Sequence, residues 1–336
     1  MKLKTIMRAG TGVLTGRLTG SPRPMFMILG ITNRCDAKCS YCNIPHRKQR
    51  EMTTEEIFSL LEQAAALGVQ RVGIWGGEPL VRADIGDIVK KAKELELYVT
   101  LDTNGFLLPK RIHEFPDLDH IIISLDGDEA AHEANREPGS HKKVMAAIEA
   151  AAPKIKTWTI TVLTKNNLDQ IDWIIDQAEK LGFVATFQVL HHNPAMGDSL
   201  TLLPEPGEYR KALEYIMQRK KDGAPVGTST ACLNHLKNWG NYREIYKKEP
   251  GPVCWAGKFF FNVDADGSIY PCSLLVDQQE APNFLETGLK KAVNSLEAPP
   301  CNSCLATCYT DYKLLFNLHF PTILEWVNAV RRWGKQ

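Results

Sequence analysis

The sequence predicts an α/β chain: a partial (β/α)6 barrel over residues 25–195, with a smaller domain after it. Two patterns carry this reading. Short apolar, β-branched runs alternate with amphipathic stretches from Met25 to Leu190, as parallel βα units require. The alternation then stops at a stretch rich in Gly and Pro around Pro194.

The six candidate strands are residues 25–32, 70–75, 98–102, 120–125, 157–163 and 183–190. Six are too few to close an eight-stranded barrel, so an open barrel is expected, with its chemistry at the C-terminal strand ends. Between the first two, Thr53, Glu55 and Glu56 open a helix, Ile57, Leu60, Leu61, Ala64 and Ala65 form its apolar stripe, and Gly68 stops it. Similar stripes run through 85–95, 142–152 and 168–181. Residues 196–252 read as a linker region with a helix near 208–221. In 253–336, two β-rich runs flank the hairpin signal Asp266-Gly267, and a closing helix near 311–333 is broken before Pro321.

Composition narrows the function class. The 336 residues, 44% apolar and 24% charged, suffice for a full core. Forty basic against thirty-nine acidic residues leave a net charge of +1, which excludes a global field for nucleic acid. Lys2, Lys4, Arg8, Arg17 and Arg23 all precede the first acid, Asp36, so residues 1–24 form a basic leader. The leader lacks the apolar run of a signal peptide or membrane span, and Gly10, Gly12, Gly16 and Gly20 are expected to interrupt any long helix. The expected location is cytoplasmic, where nine cysteines in clusters point to metal rather than disulfides.

Cys35, Cys39 and Cys42 fall within eight residues, just after the first strand. A closed zinc or ferredoxin-type site needs four protein ligands, whereas three thiolates on a four-iron cluster leave one iron open to a chelating ligand. A zinc knuckle completed by His46 is the competing reading. The spacing Cys-x-x-x-Cys-x-x-Cys resembles the signature of the radical S-adenosylmethionine (SAM) superfamily, and the resemblance spans about residues 25–190. It implies a [4Fe–4S] cluster on Cys35, Cys39 and Cys42 that binds SAM and, when reduced, cleaves it to a 5′-deoxyadenosyl radical.

The resemblance extends to the later strand ends and implies their cofactor contacts. Tyr41 would pack beside the adenine, and Gly76-Gly77-Glu78-Pro79 would meet the SAM amino group. Asn104 and Asp126 would lie near the ribose, while Ser124 and Arg136 would hold the SAM carboxylate, Arg offering a bidentate fork. Read alone, each is also an ordinary loop or cap residue.

Cys254, Gly267, Cys272, Cys301, Cys304 and Cys308 resemble the C-terminal extension called SPASM, or its shortened form Twitch, which carries auxiliary iron–sulfur clusters. Five cysteines match the shortened form. That implies one auxiliary [4Fe–4S] cluster on Cys254, Cys272, Cys301 and Cys304, with Cys308 left as a spare thiol, a replacement ligand or a catalytic residue. A structural zinc on the same four thiolates is the competing reading. Cys232 stands apart.

The implied activity is abstraction of a hydrogen atom from a sugar, nucleotide or peptide, with the auxiliary cluster suiting an oxidation and a flavodoxin or ferredoxin as reductant. His191, His192, Gln188 and Asp264 are candidate acids or bases near the last strand ends and the extension. Peptide-modifying members often carry an N-terminal winged-helix domain, and only twenty-four residues precede the first predicted strand, which counts against a peptide. Two alternatives stand beside this reading. One is a lipid or membrane-associated substrate, with the basic leader and the apolar stripe of 314–333 at a membrane interface. The other is a zinc- or cluster-binding protein without turnover.

Overall fold

The computed structural model describes residues 3–19, 21–191 and 199–333. Its strands are β1 (Phe26–Gly30), β2 (Arg71–Trp75), β3 (Tyr98–Thr103), β4 (His120–Ser124), β5 (Thr157–Leu163), β6 (Val184–Val189), β7 (Tyr246–Lys247), β8 (Phe260–Val263), β9 (Ile269–Tyr270) and β10 (Ser303–Cys304). Its helices are α1 (Leu3–Leu18), α2 (Thr54–Leu67), α3 (Ile85–Glu94), α4 (Leu108–Arg111), α5 (Glu129–Asn135), α6 (Ser140–Ala151), α7 (Ile171–Leu181), α8 (Pro206–Lys221), α9 (Thr230–Lys237), α10 (Phe284–Thr287), α11 (Leu289–Asn294), α12 (Thr307–Phe316) and α13 (Phe320–Trp333).

All six predicted strands form, parallel and in sequence order. The sheet then continues past the predicted six. β8 pairs in parallel with β1, Phe26 opposite Phe260 and Leu29 opposite Val263, and β9 turns back antiparallel at Gly267, whose φ is +91°. The extension is therefore built onto the barrel's edge. The hairpin was legible locally, but its parallel partner lies more than two hundred residues upstream.

Strand alternation sorts the two faces of the sheet. Val72 and Ile74 of β2, Leu101 of β3 and Ile121 and Ile123 of β4 lie in one buried core with Leu60 and Leu61 of α2, Ile88 of α3 and Ile174 of α7. The other face meets α12. Phe26 packs on Tyr312 with ring centroids 5.3 Å apart, Phe260 stacks on Tyr309 at 5.3 Å, and Thr307 donates from its N and Oγ1 to Gln188 Oε1 of β6 at 2.9 and 2.7 Å. Touching β6 at one end of the sheet and β8 near the other, α12 fills part of the concave side that a complete barrel would enclose.

The N-terminal segment corrects the expectation drawn from its glycines, because α1 runs through Gly10, Gly12 and Gly16. A Cβ at Gly12 would lie 2.8 Å from Met25 Sδ, and one at Gly16 would lie 2.9 Å from Pro22 Cα and 3.0 Å from the Phe259 ring. Four residues apart, the two share one face and let the helix close on the barrel. That packing outweighs the propensity cost of about 1 kcal/mol per glycine. The closing helix divides as expected, into α12 and α13. Among the described residues no helix is long and apolar enough to cross a membrane.

Candidate active site

The loop carrying Cys35, Cys39 and Cys42 leaves β1 and is clamped at once by the end of β2. Gly77 N donates to Thr32 O at 2.7 Å and Glu78 N to Arg34 O at 2.8 Å. A Cβ at Gly76 would sit 2.3 Å from Thr32 O and one at Gly77 2.3 Å from Arg34 O, so both glycines are demanded by backbone lying on backbone. Glu78 is fully buried and accepts from Leu80 N, Thr103 Oγ1 and Asn104 N at 2.9, 2.8 and 2.6 Å. Burial pushes its carboxyl up to about 7, against those hydrogen bonds. Its observed work is to tie the end of β2 to the end of β3.

Two polar side chains then reach the thiols. Asn104 Nδ2 donates to Asp36 Oδ1 at 2.8 Å and lies 3.8 Å from Cys35 Sγ. Arg136 Nη1 lies 3.7 Å from Cys39 Sγ, its Nε donates to Asp126 Oδ2 at 2.7 Å, and its guanidinium stands over the Tyr41 ring. Tyr41 donates its hydroxyl to the same Asp126 oxygen at 3.1 Å, and Asp126 Oδ1 accepts from Val162 N at 3.0 Å. Asp126 is fully buried and thus acts as the hub that aims both residues. His132 supports it, its Nδ1 accepting from Asp126 N at 3.1 Å while burial lowers the ring to about 3 and keeps it neutral. Ser124 ends β4 opposite Ile160, half-buried.

Cys254, Cys272, Cys301 and Cys304 line one small, mostly apolar cavity with Ala256, Phe260, Leu274 and Tyr309, and Cys308 is not in its wall. Asn302, Ser303, Thr310 and Lys313 also line it. Four thiols are enough for a closed ligand set, and three thiols faced by Arg136 and Asn104 N–H groups suit an anionic, sulfur-rich group with one open position. Burial raises the thiols of both sets, Cys35 to about 12 and Cys301 to about 11, so binding metal displaces their protons. Among the described residues no three Cys, His, Asp or Glu side chains stand as a ready-made ligand group; the thiols are gathered but not clasped.

The remaining candidates fall in two places. Gln188 knits β6 to α12, and its Nε2 meets His191 Nε2 at 2.6 Å, the ring being lowered by burial to about 4 and so an acceptor. Both sit at the seam between barrel and extension. His192 lies outside the described residues. Asp264 is held by Arg47, Nη2 at 2.5 Å and Nη1 at 3.1 Å, and Arg47 also binds Asn33 and Asp277. Arg47 escaped the sequence reading, since its partner lies 217 residues away and no local pattern marks it. Cys308 is exposed on the concave side, and Cys232 is buried in α9 with its thiol donating to Thr307 O at 3.7 Å.

A family model described as the radical SAM superfamily matches residues 29–178. The chain is 33% identical over 264 residues to a PqqA peptide cyclase of Ruegeria pomeroyi, covering 75% of this chain and 68% of the relative. It is 29% identical over 308 residues to that of Gluconobacter oxydans, covering 84% and 82%. Among solved structures it resembles Streptococcus suis SuiB bound to S-adenosylmethionine, with a TM-score of 0.65, 20% identity and 86% and 70% of the two chains covered. It also resembles anSMEcpe with bound AdoMet and a peptide, at 0.62, 17%, 92% and 99%. At such identities these structures support the fold. Together with the two cysteine sets, the sequence match places this chain in the radical SAM superfamily, whose members bind a [4Fe–4S] cluster and SAM, as an enzyme with a SPASM/Twitch-type extension.

Proposed function

We propose that this enzyme oxidatively modifies a peptide, with residues 25–195 as the catalytic barrel and 253–336 as the auxiliary domain. Cluster-bound SAM supplies the chemistry, a 5′-deoxyadenosyl radical able to take a hydrogen atom from an unactivated carbon. Cys35, Cys39 and Cys42 hold the cluster. Arg136 and Ser124 bind the SAM carboxylate, Tyr41 flanks the adenine, and Asn104 bridges toward the ribose. Glu78 and Asp126 act one step back, fixing Asn104, Tyr41 and Arg136 by buried hydrogen bonds.

The observation that carries the reading is the separate four-thiol cavity of Cys254, Cys272, Cys301 and Cys304, which leaves no position for substrate and suits electron transfer. The peptide class draws on the relatives named PqqA peptide cyclases and the SuiB structure bound to precursor peptide SuiA. Anaerobic reconstitution with SAM and a strong one-electron reductant tests it. The expected products are 5′-deoxyadenosine and a peptide lighter by two hydrogens; zinc in place of iron refutes the reading.

A lipid-associated substrate is favoured by one specific observation. Leu14 and Leu18 of α1 and Phe320 and Leu324 of α13 are exposed, and Arg17 Nη1 ties α1 to Phe316 O at 2.9 Å, just ahead of α13. Sedimentation with anionic liposomes decides this, and protein left in the supernatant at low salt removes the lipid reading.

A further inference from the structure

We propose that the concave face floored by Gly73 and walled by Asp102, Asn262 and Cys308 is the pocket for the modified residue. In it Asn262 reads a peptide amide and Asp102 accepts from a substrate N–H or O–H. The occupant rests on the peptide reading above; the pocket does not.

Gly73 lies between Arg71 and Trp75 on the inner face of β2, and a Cβ there would meet nothing within 4 Å. Strand interiors are ordinarily packed, so this is an opening. Gly73 registers with Ile28 of β1 and Thr100 of β3, and Ile28 registers with Asn262 of β8, which puts these four residues in one row across the sheet. Asn262 is fully buried, and both its Oδ1 and its Nδ2 lack a partner among the described residues. It shares its face with Phe260, which stacks on Tyr309 of α12. A buried carboxamide with donor and acceptor both free costs stability unless a ligand completes it, and a peptide group offers the complementary pair.

Asp102 follows Thr100 by two residues and so faces the same side. Its side chain is exposed on the concave face, and among the described residues it makes no hydrogen bond. Arg71 does not neutralise it by contact. The guanidinium donates to Tyr312 Oη at 3.0 Å and Thr100 Oγ1 at 3.2 Å and stands over the Phe26 and Tyr312 rings. Cys308 lies one turn before Tyr312 on α12, exposed and outside the four-thiol cavity. Tyr312, one turn on along the same face of α12, is the residue that binds Arg71, and Asp102 and Arg71 both lie within electrostatic reach of the Cys308 thiol. Burial pushes the Asp102 carboxyl up to about 7, so near neutral pH it is divided between an ionised form that accepts and a protonated form that also donates.

Alkylation of Cys308 by iodoacetamide in the holoprotein, read by mass spectrometry of its peptide, tests the pocket. Gly73→Leu fills the opening and should slow the reaction about tenfold, because thiol reactivity follows access. Its melting temperature should stay close to that of the wild type, since a Cβ there meets no atom within 4 Å and leucine replaces a glycine in a strand. Equal rates in the two proteins overturn the pocket. With SAM present, a pool of N-acetyl tripeptide amides should protect Cys308 in the wild type and less in Asn262→Leu. Slowing by Gly73→Leu without protection by the pool overturns the peptide occupant alone. Neither labelling result depends on turnover, so failure of the proposed activity is read separately.

Discussion

The two cysteine sets solve one problem in opposite ways. The first sits on a single loop of eight residues, and its surroundings are polar, with Arg136 and Asn104 aimed at sulfur. The second gathers residues from 254 to 304 into a mostly apolar wall in which, among the described residues, Lys313 is the charged member. A site that must admit a charged cosubstrate keeps hydrogen-bond donors beside the metal. A site that only passes electrons can be dry. The difference teaches that ligand number and lining chemistry, read together, separate the two proposed roles.

The contrast is broken most severely by Cys39→Ala. Iron should fall by about half, to the content of one four-iron cluster, and 5′-deoxyadenosine should vanish, both measured on reconstituted protein. Cys304→Ala should cost the same half of the iron while SAM cleavage in the absence of substrate persists. Equal loss of cleavage in both variants would erase the distinction between the sets.

A smaller effect comes from Arg136→Ala. Arg136 and Asp126 form a buried pair at 2.7 Å, and removing one partner strands the other. The expected loss is about 3–5 kcal/mol by denaturant unfolding, along with weaker SAM binding. The apolar set has no such pair to lose.

The mildest test is a pH profile. Glu78 ionises near 7 when folded, because of burial, and about 4.3 when unfolded, so between these values the folded state keeps a proton that the unfolded state gives up. Stability should decline as pH rises through that window and level off above it, by about 4 kcal/mol in all. Glu78→Gln should flatten the slope in urea titrations at pH 4.5 and pH 7.5.

Legibility in the sequence tracked distance along the chain. The first thiol set, the capping of α2 by Thr53 and Glu56, and the six strands are all written in local spacing, and the structure has those helices and strands. The partnership of β8 with β1 and the Arg47 clamp on Asp264 join residues more than two hundred positions apart, which no local pattern encodes. The glycines of α1 misled because propensity was weighed without Met25 and Phe259, the neighbours that need them. Asp102 was passed over for a related reason: in sequence it is one more polar residue before Thr103 and Asn104, and only the register of β3 turns it inward.

The central claim is that the N-terminal thiols hold an iron left open for SAM. Its most direct measurement is electron paramagnetic resonance on reduced protein in which Cys254, Cys272, Cys301 and Cys304 are all alanine. One cluster signal should remain, and adding SAM should shift it. A signal unmoved by saturating SAM, or no iron at that site in oxygen-protected protein, contradicts the account.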